Sequence, residues 1–146
     1  MDLNDIAACG DIIEHFINIY LDGNLFQTFL PPTISIIGFG SDSLSMEGSF
    51  QELLMGMEFN GITTAGTYDN TNIGSALYSL ENTAGQTLFN SCFNNCAYDL
   101  LEFTFIGNVG EDIEGYWEGT DIEFDNFSTG NTEIYDVRVE FDLLRD

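Results

Sequence analysis

The residues Tyr135, Val137, Val139, Phe141 and Leu143 alternate without a break with Asp136, Arg138, Glu140 and Asp142. An extended strand points successive side chains to opposite faces, so this run fits a strand with one face on a core and one in water. The same period of two recurs along the chain. Ile17, Ile19 and Leu21 alternate with Phe16, Asn18 and Tyr20; Leu101, Phe103 and Phe105 alternate with Glu102 and Thr104. Leu44, Met46, Gly48 and Phe50 share one face of a further segment, and Leu53, Met55, Met57 and Phe59 share one face of the next. Ser49–Phe59 can also be written as a helix, but Gly56 and the flanking strands favour the extended reading.

Turn signals separate these runs: Asp22-Gly23, Pro31-Pro32, Asn60-Gly61 and Asn82-Thr83-Ala84-Gly85. About nine short strands spaced by turns predict an all-β fold, an antiparallel β-sandwich or a barrel-like closure of the same strands. Residues 1–13 read as an N-terminal arm, with room for a helical turn, and residues 14–146 as a single domain. Tyr135–Leu143 is the strand expected at an open edge.

Charge narrows the partners. The chain has 25 Asp and Glu against two Arg and no Lys, for a formal charge of −23. Nucleic-acid binders neutralise phosphate with Lys and Arg, so a nucleic-acid partner is excluded. Anionic membrane surfaces are excluded in the same way. Without Lys there is no Schiff base and no phosphate-cradling lysine. With 44% hydrophobic residues the chain is too apolar to be a disordered acidic tail. No stretch approaches the roughly 20 apolar residues of a membrane-spanning helix, so no membrane span is expected.

Three cysteines are present. Cys92 and Cys96 flank Phe93-Asn94-Asn95, and a three-residue loop between two strands would set them face to face across a ladder, at a separation suited to a disulfide. With one His in the chain, four tetrahedral metal ligands are hard to assemble around this pair. A disulfide implies an oxidising compartment, hence an extracellular or cell-surface protein. Cys9, in Ile6-Ala7-Ala8-Cys9-Gly10-Asp11, sits in a context similar to a lipobox. The upstream residues lack a positive and an apolar region. It is read as a free thiol or an intermolecular disulfide ahead of a lipid-linked cysteine.

Ile19-Tyr20-Leu21-Asp22-Gly23-Asn24-Leu25-Phe26, Gly66-Thr67-Tyr68 and Gly115-Tyr116-Trp117-Glu118-Gly119 follow one another in that order. This order resembles the small β-domains of unknown function in surface lipoproteins of Bacteroidota, over residues 14–144. The resemblance implies a cell-surface setting and carries no catalytic residues. In that setting Asp42-Ser43-Leu44 looks like an O-glycan attachment site at Ser43, and Asn126-Phe127-Ser128 is an N-glycosylation sequon.

No nucleophile elbow accompanies His15, which stands beside Glu14, and the chain is read as a non-enzyme, with a small hydrolase as the distant alternative. No cofactor is called for except calcium, for which Asp69, Asn70 and Asn72, and Glu111, Asp112 and Glu114, supply hard oxygen ligands. None of these has the spacing of an EF-hand loop. Tyr116 is the candidate ligand platform for carbohydrate, because Trp117 shares a face with Ile113 and its neighbour must point outward. The expected function is a binding or assembly module, taking other copies of itself, a surface protein or a glycan as partner. Assembly would pair the N-terminal arm or the edge strand of one copy with the next by strand addition, a version that the odd Cys9 favours.

Overall fold

A computed structural model describes residues 15–31, 33–39, 43–50, 53–82, 84–93, 96 and 98–145. The N-terminal arm and Cys9 lie outside the described residues. Eleven strands form one antiparallel sheet: β1 (Phe16–Leu21), β2 (Asn24–Phe29), β3 (Ile34–Phe39), β4 (Ser43–Phe50), β5 (Leu53–Asn60), β6 (Gly66–Tyr68), β7 (Ile73–Glu81), β8 (Thr87–Phe93), β9 (Leu100–Ile106), β10 (Asp112–Asn126) and β11 (Asn131–Leu144). The main path runs β2-β1-β11-β10-β8-β7-β5-β4-β3, and β9 pairs with β10 and carries β6. Of the two layouts the alternation allows, the chain takes the barrel-like one, a single sheet nearly closed on itself. Among the described residues no helix is long and apolar enough to cross a membrane.

Local chemistry sets the path. Asp22 and Gly23 have φ of 50° and 82°, the pair of positive values that a two-residue hairpin of the strands' own twist requires. They join β1 to β2. β2 and β3, the two ends of the path, follow one another in the chain, and between them the Thr33 amide donates to Leu30 O at 2.8 Å. Phe29 of β2 lies flat on Gly48 of β4: a Cβ there would stand 2.7 Å from the ring, so only glycine lets the barrel draw this close.

The interior is filled by side chains, as in other small barrels. Trp117, Tyr78, Phe29, Phe59, Phe103 and Phe124 are its largest fully buried groups. Phe103 stands edge-on to Phe59 and to Phe141, each with ring centroids 5.5 Å apart, and Tyr98 lies 4.3 Å from Trp117. Burying one such side chain contributes roughly 1.5–3 kcal/mol, so this aromatic interior dominates the stability. Ile17, Ile19, Met55, Met57, Val137, Val139 and Leu143 are buried as the alternation predicts.

Three expectations are corrected. Phe105 does not point inward; it is 44% exposed. The β9–β10 register pairs Phe103 with Gly115 but Phe105 with Glu114, so Thr104 is an extra residue, and a bulge reverses the alternation beyond it. Tyr135–Leu143 is not an edge: β11 is flanked by β1 and β10 on either side. It is among the most interior strands, and the free edges of the main path belong to β2 and β3. Finally, Cys92 and Cys96 are bonded, with Cα atoms 5.6 Å apart, but not across a ladder. Cys92 pairs with Ala76 of β7, whereas Cys96 lies beyond the strand and is fully buried.

Candidate functional site

The outward side chains of β1, β11, β10 and β9 form a continuous polar face. Antiparallel register builds it in rows: Tyr20 beside Arg138 beside Glu118; Asn18 beside Glu140 beside Tyr116 beside Glu102; Phe16 beside Asp142 beside Glu114. Arg138 ties the first two rows together. Its Nη1 donates to Glu118 at 2.7 Å and its Nε to Glu140 at 2.9 Å, and its guanidinium lies 4.1 Å from the centre of the Tyr116 ring. The Tyr116 hydroxyl donates to Glu102 at 3.2 Å and the Tyr20 hydroxyl to Glu140 at 3.3 Å. Burial and the neighbouring carboxylates hold both phenols above their ordinary pKa, so both are donors at neutral pH. Beside this network runs an open groove of about 180 Å³, lined by Phe16, Thr104, Glu114, Tyr116, Glu140 and Asp142.

Tyr116 thus points outward as predicted, while Trp117 is buried. It is not a bare ring, however, since Arg138 lies over it.

At the end of the groove stands a second cluster. His15 Nε2 is 3.1 Å from Asp112 Oδ1, and one atom from each of His15, Asp112 and Asp142 lies within 4.8 Å of the others. The Asp142 carboxyl is pushed up to about 7, first by burial and then by the charges of Asp112 and Glu114, against the opposing pull of His15. Its Oδ1 is shut off from solvent and accepts no hydrogen bond.

The two predicted calcium sets fare differently. Asp69 and Asn72 are committed to a capping box on the short 3-10 turn Asn70–Asn72: Asp69 accepts from the Thr71 amide at 2.9 Å, and Asn72 donates to Asn60 O at 2.9 Å. Those bonds to Thr71 also hold the Asp69 carboxyl below its ordinary range. Glu111, Asp112 and Glu114 do not converge. Glu111 turns back to accept from the Asn108 amide at 2.7 Å, while Asp112 joins His15 and Asp142. Arg138, Glu140 and Asp142 lie on the outward face that the alternation defines but were not among the expected site residues, and His15 was weighed only for catalysis.

Ser43 opens β4 opposite Asn60, partly buried. The sequon residue Asn126 is 1% exposed, and its side chain is held by Gln86, Glu133, Ser128 and Thr129, which closes it to glycan attachment in the folded chain.

Compared with protein-family models, with curated proteins and with solved structures, the chain finds no significant match.

Proposed function

We propose that this protein is a non-enzymatic binding module of the cell surface or extracellular space, which takes a hydroxyl-rich ligand of the glycan class in the groove beside Tyr116. The observation that carries this reading is the fixed aromatic ring at the groove margin. Arg138 and Glu102 hold Tyr116 in one orientation, so little side-chain freedom is lost when a ligand lands on it. Glu114, Glu140 and Thr104 around the groove supply acceptors and a hydroxyl for a sugar's hydroxyl groups. The Cys92–Cys96 disulfide supports an oxidising compartment, in keeping with the resemblance to surface-lipoprotein domains.

Binding is read by calorimetry against neutral oligosaccharides chosen from a glycan array. Tyr116→Ala should weaken a hit at least about tenfold, the loss of one well-placed aromatic contact. No hit on the array, or a hit indifferent to Tyr116→Ala, refutes the reading.

A second reading, assembly by strand addition, is favoured by β2, which has a free edge and bears Leu25 at 57% exposure. A strict monomer in sedimentation at high concentration and high salt excludes it.

A further inference from the structure

The geometry points to a divalent metal site of the zinc type made by His15, Asp112 and Asp142, at the end of the groove. Three strands that are distant in sequence deliver it. His15 immediately precedes β1, Asp112 opens β10, and Asp142 lies near the end of β11 between them. The central strand is hydrogen-bonded to both neighbours, so Asp112 and Asp142 are held by the sheet, with His15 on the residue that leads into it.

Ligand bonds of about 2.0–2.2 Å in tetrahedral geometry place the donor atoms of one zinc ion roughly 3.3–3.6 Å apart. The donors here lie within 4.8 Å of one another, so the site closes by side-chain shifts of about 1 Å. The imidazole decides the class of metal. Calcium and magnesium take oxygen donors almost alone, whereas imidazole with carboxylate suits zinc and its neighbours.

An independent observation bears on whether anything binds there. The Asp142 carboxyl is partly buried and shares a side-chain hydrogen bond with Asp112, yet its Oδ1 is shielded beside these groups and accepts none, and such an oxygen is costly to leave without a donor or a cation. The Arg138 guanidinium on this face is already engaged with Glu118 and Glu140. Glu114, directly opposite Asp142, lines the groove with it, which brings a groove ligand within reach of the metal. The site stands whether or not the groove takes a glycan.

His15 is the one imidazole of the chain, so its NMR signals report this site alone. The full chain is titrated with zinc chloride at roughly 0.15 M salt with excess magnesium, which screens the acidic surface. The expected result is saturation at one equivalent with the His15 ring signals shifted. Asp142→Asn should weaken binding by about tenfold or more, and Asp125→Asn, on an exposed part of β10, should leave it unchanged. His15→Ala should abolish it; if that variant does not fold, Asp142→Asn carries the test. Unmoved His15 signals, equal binding by Asp142→Asn, or displacement of zinc by equimolar calcium would overturn the proposal. No sugar is present, so failure here is distinct from failure of the glycan reading.

Discussion

The β10–β11 hairpin carries a polar cluster at each end, and the two are opposites. At the closed end Asn126 is buried and fully satisfied. Its amide nitrogen donates to Gln86 at 3.0 Å and to Glu133 at 2.6 Å, and its oxygen accepts from the amides of Ser128 at 3.0 Å and Thr129 at 3.2 Å. At the open end His15, Asp112 and Asp142 crowd together with like charges and a shielded oxygen lacking a donor. A saturated buried polar group fixes a structure, because removing it strands every partner at once. An unsatisfied cluster costs stability in the resting protein and has valence left for something else. The first end is thus architectural and the second is where chemistry is expected.

The largest effect should come from the closed end. Asn126→Ala leaves Glu133 Oε2 and two turn amides without this partner, while Gln86 Oε1 keeps its bond from Asn82, and is expected to lose about 2–4 kcal/mol of stability, read as a lower urea midpoint at unchanged slope. The same variant should raise the Glu133 carboxyl toward its ordinary value, since the Asn126 bond is the chief cause of its depression. A loss below about 1 kcal/mol would break the comparison at its architectural end.

The open end should respond with the opposite sign. Folding raises the Asp142 carboxyl from 3.8 to about 7. Between those values the folded chain holds a proton that the unfolded chain has released. Stability therefore falls as pH climbs through this window and levels off above it. The groups facing Asp142 that set the effect are Asp112, Glu114 and His15. Asp142→Asn should flatten this slope and gain at most about 1 kcal/mol at neutral pH, since solvent screens a partly exposed carboxyl. The gain should vanish near pH 4. A variant less stable than the parent at pH 7.5 would show that the charged form of Asp142 is held favourably, and the two ends would not differ in kind.

The architecture was readable because period-two alternation acts within one strand. Val137, Val139 and Phe141 need only their immediate neighbours to declare a face. Phe105 was misread because a bulge depends on which residue of β10 it meets, and the local pattern does not record that. The Cys92–Cys96 bond was legible from its short spacing, but the ladder assumed for it was not, because β8 pairs with β7. The site lay further out of reach. Asp112 stood among the predicted ligands, yet its actual neighbour His15 is 97 residues away, joined to it only through the β1–β11–β10 order. The closed-end Asn126 was hidden differently: in the sequence it is one residue of a glycosylation sequon, and only the folded hairpin shows it buried.

Arg138 stands between the two ends and gives the smallest and most discriminating effect. Its planar guanidinium bonds Glu118 and Glu140 and at the same time lies over Tyr116, a combination that a lysine ammonium on the same stem does not reproduce. Both carboxylates are partly exposed, so solvent screens each ion pair and it contributes little, and the stacking adds about 0.5–1 kcal/mol. Arg138→Lys is therefore expected to cost about 0.5–1 kcal/mol, read from paired urea curves. Salt should tell the two contributions apart: the ion-pair share shrinks as ionic strength rises, whereas the contact with the ring persists. A loss that disappears entirely in high salt would make Arg138 a simple counter-ion, and Tyr116 would then lack the support that fits it for ligand contact. A loss that survives salt keeps the ring held, and places the boundary between architecture and site on the Asp142 side of Arg138.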